Sequence, residues 1–424
     1  MESRKNWALL ATGALAAAAV ITAAQVLVLG ATDRAADPAP AVPAADDGDR
    51  PAAGISADKQ IALQQALNRV VRQGSSGAVA ELAVVDEQGR DTWNGVAGVA
   101  DRATGAPVDP QAHFRVASLS KPFVAATLLH LVERGRVDLD DTVEELLPGV
   151  LDGGERITLR MLLSHTSGVF SYNRAMPDVR EDPHRRWRPQ ELVAIANRRG
   201  PVFEPGTDVE YSNTNYVLAA MVIEKVTGRP YTEAVDRAVL TPLGLEDTSI
   251  PTDSEVPGPA MHAYLAAAPA PGLAPEPTDI THFNPTRWYG TAQVVSTVSD
   301  VNRFWEALLG GRLLSKPTLA RMLEVQAVTD DGYGFALGPR SYTLTCGLDV
   351  WMHSGNIPGY RTWTVHGGGR HLTLFQARYT KDPDPPAWAM IETALCPVHG
   401  DRPAPTPGDH PTEPVEDTGR GEDG

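Results

Sequence analysis

The chain has 424 residues, long enough for one large or two modest domains with a sizeable buried core. Hydrophobic residues make up 42% and charged residues 21%, ordinary values for a globular protein. A formal net charge of −16 argues against a nucleic-acid partner, which needs a basic face, and otherwise speaks only for solubility.

In chain order, Arg4 and Lys5 precede an almost uncharged apolar run from Trp7 to Ala31. At roughly 25 residues the run is long enough to cross a bilayer as a helix. Positive charge ahead of it predicts a cytoplasmic N-terminus with everything later outside. Residues 1–31 therefore read as a signal peptide or an N-terminal membrane anchor. Ile21-Thr22-Ala23 suits a signal peptidase, yet apolar residues continue through Leu29, which leans towards an anchor that keeps the protein on the membrane. Residues 32–56 are rich in Ala, Pro and Asp and read as a disordered linker. Residues 397–424 are Pro, Gly and acid, and read as a disordered tail.

Residues 57–396 lie between them as one globular unit. It opens on a helical pattern (Ile61, Leu63, Leu67, Val70, Val71), followed by strand-like runs Ala78–Val85 and Thr92–Val99. The middle is mainly helical, with segments at Gln190–Asn197, Asn215–Val226 and Asp300–Leu309. Strands return at Tyr342–Met352, Arg361–His366 and His371–Arg378, the last two joined by a Gly367–Gly369 turn, before a helix from Pro386 to Leu395. Strands at both ends predict one sheet assembled from both termini, with a helical subdomain beside it and a site between the two parts. Cys346 and Cys396 are the only cysteines. In an exported chain they are a disulfide candidate, with two buried free thiols as the alternative.

Three short segments carry chemistry. Ser118-Leu119-Ser120-Lys121 opens a helix predicted to run to Glu133. Positions three apart share a helix face, so the Lys121 amine reaches the Ser118 hydroxyl, and a helix N-terminus favours developing negative charge. Serine needs an adjacent base to become a nucleophile, and lysine serves only where desolvation or nearby positive charge lowers its pKa. Taken alone, Ser-x-x-Lys more often marks a solvated helix start. Tyr211-Ser212-Asn213 follows the turn Glu204-Pro205-Gly206. A tyrosine oxygen near a cationic lysine can shuttle protons, and Asn213 offers a donor and an acceptor to a substrate amide. His353-Ser354-Gly355 ends a predicted strand and is followed by Asn356-Ile357-Pro358. A strand edge here pairs with an extended peptide, Gly355 lets that backbone approach, and the N–H groups of Ser118 and Asn356 would form an oxyanion hole.

In this order, with Tyr-x-Asn roughly 90 residues after Ser-x-x-Lys and His-Ser-Gly near the C-terminus, the segments resemble the serine penicillin-binding proteins and class C β-lactamases. Phe114-Arg115-Val116-Ala117, Leu163-Ser164-His165-Thr166-Ser167-Gly168 and Thr214-Asn215-Tyr216 extend the likeness. Ala100-Asp101-Arg102-Ala103-Thr104-Gly105 and a histidine heading the third motif make it most similar to the secreted actinomycete D-alanyl-D-alanine carboxypeptidase/transpeptidase type, over roughly Ala78 to Cys396. The resemblance implies the α+β serine β-lactamase/DD-peptidase fold, an antiparallel sheet flanked by helices with a helical subdomain. It implies a serine carboxypeptidase that acts through an acyl-enzyme on peptides ending in D-Ala-D-Ala and is inhibited by β-lactams. Ser118 would be the nucleophile, assisted by Lys121 and Tyr211, with His353 maintaining positive potential and positioning the Tyr211 proton. Asn213, Ser354, Gly355 and Asn356 would contact substrate, Trp288 would line the cleft, and Arg340 would take the substrate's terminal carboxylate. Cys346 and Cys396 match that type's disulfide pair, whereas Pro358 stands where a glutamine is usual.

No cofactor is implied, and no His-Glu-x-x-His metal motif or Gly-rich phosphate loop is present. The alternatives are a β-lactamase, a D-amino-acid amidase, esterase or peptide-maturing hydrolase of the same fold, and, least favoured with three intact motifs, a non-catalytic binding module.

Overall fold

A computed structural model describes residues 54–266, 277–378 and 385–397; the apolar run of residues 7–31 and the acidic tail lie outside them. No helix among the described residues is long and apolar enough to cross a membrane. Nine strands form one antiparallel sheet. They are β1 (Ser75–Asp86), β2 (Gly89–Asp101), β3 (Ala106–Pro107), β4 (Ala327–Val328), β5 (Gly334–Phe335), β6 (Arg340–Thr343), β7 (Asp349–Ile357), β8 (Tyr360–Gly367) and β9 (Arg370–Arg378). Their spatial order is β3-β2-β1-β9-β8-β7-β6-β5-β4, so the two ends of the domain meet where Val79 faces Phe375 and Leu82 faces Leu372. The first nine residues of β1 are all buried, as a central strand covered on both faces requires.

One face is covered by α1 (Ala57–Arg72), whose buried Leu63, Ala66, Leu67 and Val70 pack with Trp388 and Ile391 of the C-terminal helix. Burying such side chains contributes roughly 1.5–3 kcal/mol each. On the other face α5 (Val298–Leu309) packs against β1 and β9, and α2 (Ser120–Glu133), α3 (Pro189–Arg199) and α4 (Asn213–Thr227) share the hydrophobic core on that side; the C-terminal helix on the first face is α6 (Pro385–Leu395). In α2 every residue except His130 and Glu133 is buried, so this helix is the axis of the helical part.

Three boundaries differ from the expectations above. The run read as one strand, Tyr342–Met352, is two strands turned at Cys346-Gly347, because Gly347 adopts φ 81 and Leu344 N–H closes onto Leu348 O at 2.9 Å. That turn is joined to the end of α6 by the Cys346–Cys396 disulfide, Sγ–Sγ 2.06 Å. Ser118 does not open α2 but lies in the 3-10 turn Ala117–Leu119 before it. The folded unit begins earlier than expected, since Ile55 is buried with its N–H on Asp91 Oδ2 at 2.7 Å, and Ser56 caps α1 through Lys59 N–H.

A polar seam crosses the sheet beneath α5. Asn302 Nδ2 donates to the carbonyl and to Oε1 of Glu81, each at 3.1 Å, so its Oδ1 accepts from Thr373 Oγ1 at 2.7 Å. With the Thr373 proton committed, Thr364 must donate to Thr373, at 2.9 Å, and His366 Nε2–H to Thr364, at 2.6 Å. A neutral His366 then accepts at Nδ1 from His371 Nδ1–H, 3.0 Å away. Burial, and secondarily His371, holds His366 well below the usual imidazole range. Burial and the nearby Arg90 push His371 down to about 4. The folded chain therefore binds fewer protons than the unfolded chain below about pH 6.5, and stability falls as pH drops through that window towards 4. His371→Asn should flatten this acid decline. Thermal midpoints between pH 7.5 and 5 check it, and parallel slopes for variant and wild type would free the seam of that role.

Candidate active site

The second motif runs into the N-terminus of α4 and the third lies within β7, and the turn leading into α2 brings the first between them. Ser118 is buried, at 1% exposure. The residue before it, Ala117, adopts φ 53, a left-handed conformation that costs a Cβ-bearing residue roughly 1–2 kcal/mol. Ser120 holds that turn, donating to Ala117 O at 2.7 Å and accepting from Val294 N–H at 3.1 Å. Ser120 is thus the staple of the motif rather than a second nucleophile.

Lys121 is fully buried one turn on. Its Nζ donates to Ser118 Oγ at 2.7 Å, Asn213 Oδ1 at 2.8 Å and Thr291 O at 3.3 Å. Nζ also lies 4.7 Å from the centroid of the Tyr211 ring. The geometry sets the Lys121 amine directly against the Ser118 hydroxyl and brings Tyr211 within reach of the same group. Asn213 is oriented from its other end, with Nδ2 donating to Asn173 Oδ1 at 3.0 Å and its backbone N–H to Ser171 Oγ at 2.8 Å.

The third motif sits within β7 rather than at its end. Strand β6 pairs with β7 only from Thr343↔Asp349 to Arg340↔Met352. From His353 to Ile357, that edge of β7 has no strand partner among the described residues, while β8 pairs on the other side. An extended substrate can occupy such an edge by strand addition. Ser354 is buried on this stretch and Asn356 is half-buried. Gly355 works differently from expectation. A Cβ there would stand 2.3 Å from Thr362 Oγ1 and 2.7 Å from both Ala117 Cβ and Val116 O. Glycine is therefore required to admit the nucleophile's own turn, which brings the backbone beside Ser118 close to that beside Asn356. Pro358 and Gly359, with φ 78 at Gly359, make the buried corner from β7 into β8.

His353 is buried, and its Nδ1–H donates to Ser354 O at 2.6 Å. Burial, then Arg340 and Lys121, hold its pKa well below the usual imidazole range. It is neutral at neutral pH, so the expected positive potential comes from Lys121 and Arg340 and not from His353. Arg340 is 3% exposed, its guanidinium carbon 4.8 Å from the Tyr211 ring centroid and 5.1 Å from that of Phe335. Trp288 is buried against Phe283, centroids 4.8 Å apart. Its contribution to the site runs through its carbonyl, which accepts from Thr291 N–H at 3.0 Å and so fixes the turn whose carbonyl meets Lys121. Thr291, which acts through backbone, carries no local signal, and neither do Ser171 and Asn173. His165 stood in a quoted motif without a role; it stacks on Tyr211 at 4.3 Å.

Gly355→Ala should slow acylation of Ser118 by about 100-fold, the cost of a displacement near 1 Å at a reacting group, and lower stability by roughly 1–3 kcal/mol. Rates with a fluorescent penicillin and thermal midpoints measure the two effects; unchanged acylation would remove Gly355 from the assembly of the nucleophile.

Comparison with known proteins agrees with this geometry. The β-lactamase family pattern matches residues 66–382. Penicillin-binding protein 4 of Amycolatopsis lactamdurans is 28% identical over 249 residues, 56% of this chain and 63% of that protein. A D-aminopeptidase of Gluconobacter oxydans is 28% identical over 309 residues, 71% of this chain, but the match spans only 55% of that protein's length. Among solved structures, the D-stereospecific amidohydrolase from Streptomyces sp. is 37% identical with a TM-score of 0.71, covering 80% of this chain and 98% of that one. The sheet built from both ends, the Ser118–Lys121 pair and these matches together place the chain in the β-lactamase family, among the serine hydrolases related to penicillin-binding proteins and D-amino-acid amidases.

Proposed function

We propose that the protein is an exported serine D-alanyl-D-alanine carboxypeptidase/transpeptidase. The observation that carries the reading is the environment of Tyr211: two cations, Lys121 and Arg340, within 4.7 and 4.8 Å of its ring, beside the Ser118 hydroxyl and an open strand edge. Such a pocket favours a substrate carrying negative charge, as a C-terminal D-Ala does. Ser118 Oγ adds to the scissile carbonyl while its proton passes to the Tyr211 oxygen, whose anionic form the neighbouring Lys121 and Arg340 cations stabilise. Tyr211 returns that proton to the departing nitrogen as the C–N bond breaks. Free D-Ala leaves and an ester remains on Ser118. Water or an acceptor amine then attacks the ester and restores the hydroxyl. Ser118→Ala removes the covalent adduct with β-lactams on this reading.

Export is supported by the Arg4/Lys5 charge ahead of the apolar run, a pattern that goes with a catalytic domain outside the cytoplasm, secreted or held at the membrane. The second reading, a D-amino-acid amidase, is favoured by the 37% identity to the D-stereospecific amidohydrolase across 98% of its chain. Arg340 separates the two. Arg340→Ala should impair cleavage of peptides ending in free D-Ala roughly 30- to 150-fold more than cleavage of the matching amide, the equivalent of about 2–3 kcal/mol for a lost charge-assisted contact. The ratio of the two kcat/KM losses is the measured quantity, since it cancels any general damage to Ser118. Equal losses on both substrates would favour the amidase.

A further inference from the structure

The Leu163–Gly168 segment carries a histidine that the chemistry above leaves unused. His165 is buried and adopts φ 61; Ala117 is the only other non-glycine residue with positive φ among the described residues. Backbone strain of this kind persists only where the surroundings over-determine it, and here both instances lie beside reacting groups.

His165 contacts three consecutive residues, Glu210 and the first two of the second motif. Its carbonyl accepts from Glu210 N–H at 3.1 Å. Its ring lies 4.3 Å from the Tyr211 ring, 24° from parallel. Its Nδ1 accepts from Ser212 N–H at 3.0 Å, which puts the proton of the neutral ring on Nε2. Asn215 Nδ2 lies 3.5 Å from the same Nδ1, and the other aromatic neighbours are Tyr216, at 5.4 Å, and the edge-on Phe335, at 5.5 Å. The charged and titratable groups that face it are Lys121, Arg340 and His353, and burial with the two cations holds it neutral. The left-handed backbone is what lets carbonyl, ring and Nδ1 meet Glu210, Tyr211 and Ser212 in succession.

We propose that His165 is the positioning residue of Tyr211, an aromatic platform on which the phenol ring stacks and is held beside Lys121, while the contacts to Glu210 and Ser212 keep the platform itself in place. The proposal rests on the reading of Tyr211 as a proton carrier, so the test includes Tyr211→Phe. His165→Asn keeps a side-chain acceptor near the Nδ1 position, and asparagine tolerates positive φ, so only the platform is lost. His165→Phe keeps the platform and loses the acceptor. The full-length protein and fluorescent penicillin serve as enzyme and probe, with the limiting acylation rate and the half-saturating concentration read across pH 5–10.

His165→Asn should retain its thermal midpoint and half-saturating concentration while the limiting rate falls roughly 30- to 100-fold and its pH dependence changes. His165→Phe should melt earlier yet show the wild-type pH dependence in its folded fraction. Wild-type rate and pH dependence in His165→Asn, with Tyr211→Phe inactive, would overturn the positioning role alone. Losses in both His165 variants that merely track the folded fraction would do the same. A fully active Tyr211→Phe would remove the reading of Tyr211 and the positioning role with it.

Discussion

A lysine ammonium buried among neutral oxygens is the constraint on which the site is built. Lys121 is 0% exposed, and its hydrogen bonds run to oxygens of Ser118, Asn213 and Thr291, which come from three separate stretches of the chain. A buried cation without this complement would be strongly unfavourable, so each stretch is held to the position that completes it. Asn213 is held by Asn173, Thr291 by the Trp288 carbonyl, and Ser118 by the Ser120 staple. The apparent elaboration of the surrounding loops follows from this single requirement.

The same constraint sets the electrostatics. With Lys121 and Arg340 already beside Tyr211, further positive charge is disfavoured, and the two imidazoles nearest them, His165 and His353, are both held well below the usual imidazole range. The third motif therefore supplies shape and hydrogen bonding where a basic side chain would supply charge. This division leaves the site cationic through groups that do not titrate near neutrality in ordinary circumstances, and neutral through those that do.

Much of this was legible in the sequence. The helical period of Leu63, Leu67 and Val70, the strand runs at both ends and the order of the three motifs specify the architecture, because hydrophobic periodicity and motif chemistry are local signals. Ser118, Lys121, Tyr211 and His353 were named from those signals, and the structure brings them together. What was missed is non-local or carried by backbone. Nothing in Thr291 distinguishes a carbonyl that meets Lys121 from any other. Gly355 was read as making room for substrate, because its true neighbour, Ala117, is more than 200 positions away. The neutrality of His353 depends on how deeply it is buried and on the nearness of Arg340, neither of which a strand pattern contains. The split of Tyr342–Met352 turned on one positive φ at Gly347 inside an otherwise plausible strand.

The pairing of β1 with β9 has a consequence for how the chain acquires its shape. Ser75 is registered with Arg378, so the central strand of the sheet waits for nearly the whole domain to be made before its second neighbour exists. Until then the β1–β2 hairpin presents an open, apolar edge, the kind of surface that mispairs with other chains. Contacts this distant also slow the search for the native arrangement. The nucleophile's turn rests on β7 and β8, which arrive late as well, through Gly355 and through Thr362 Oγ1 donating to Val116 O at 2.9 Å. A chain emerging from its N-terminus therefore holds Ser118 early but has no seat for it until the C-terminal strands are in place, and an incomplete product is chemically silent.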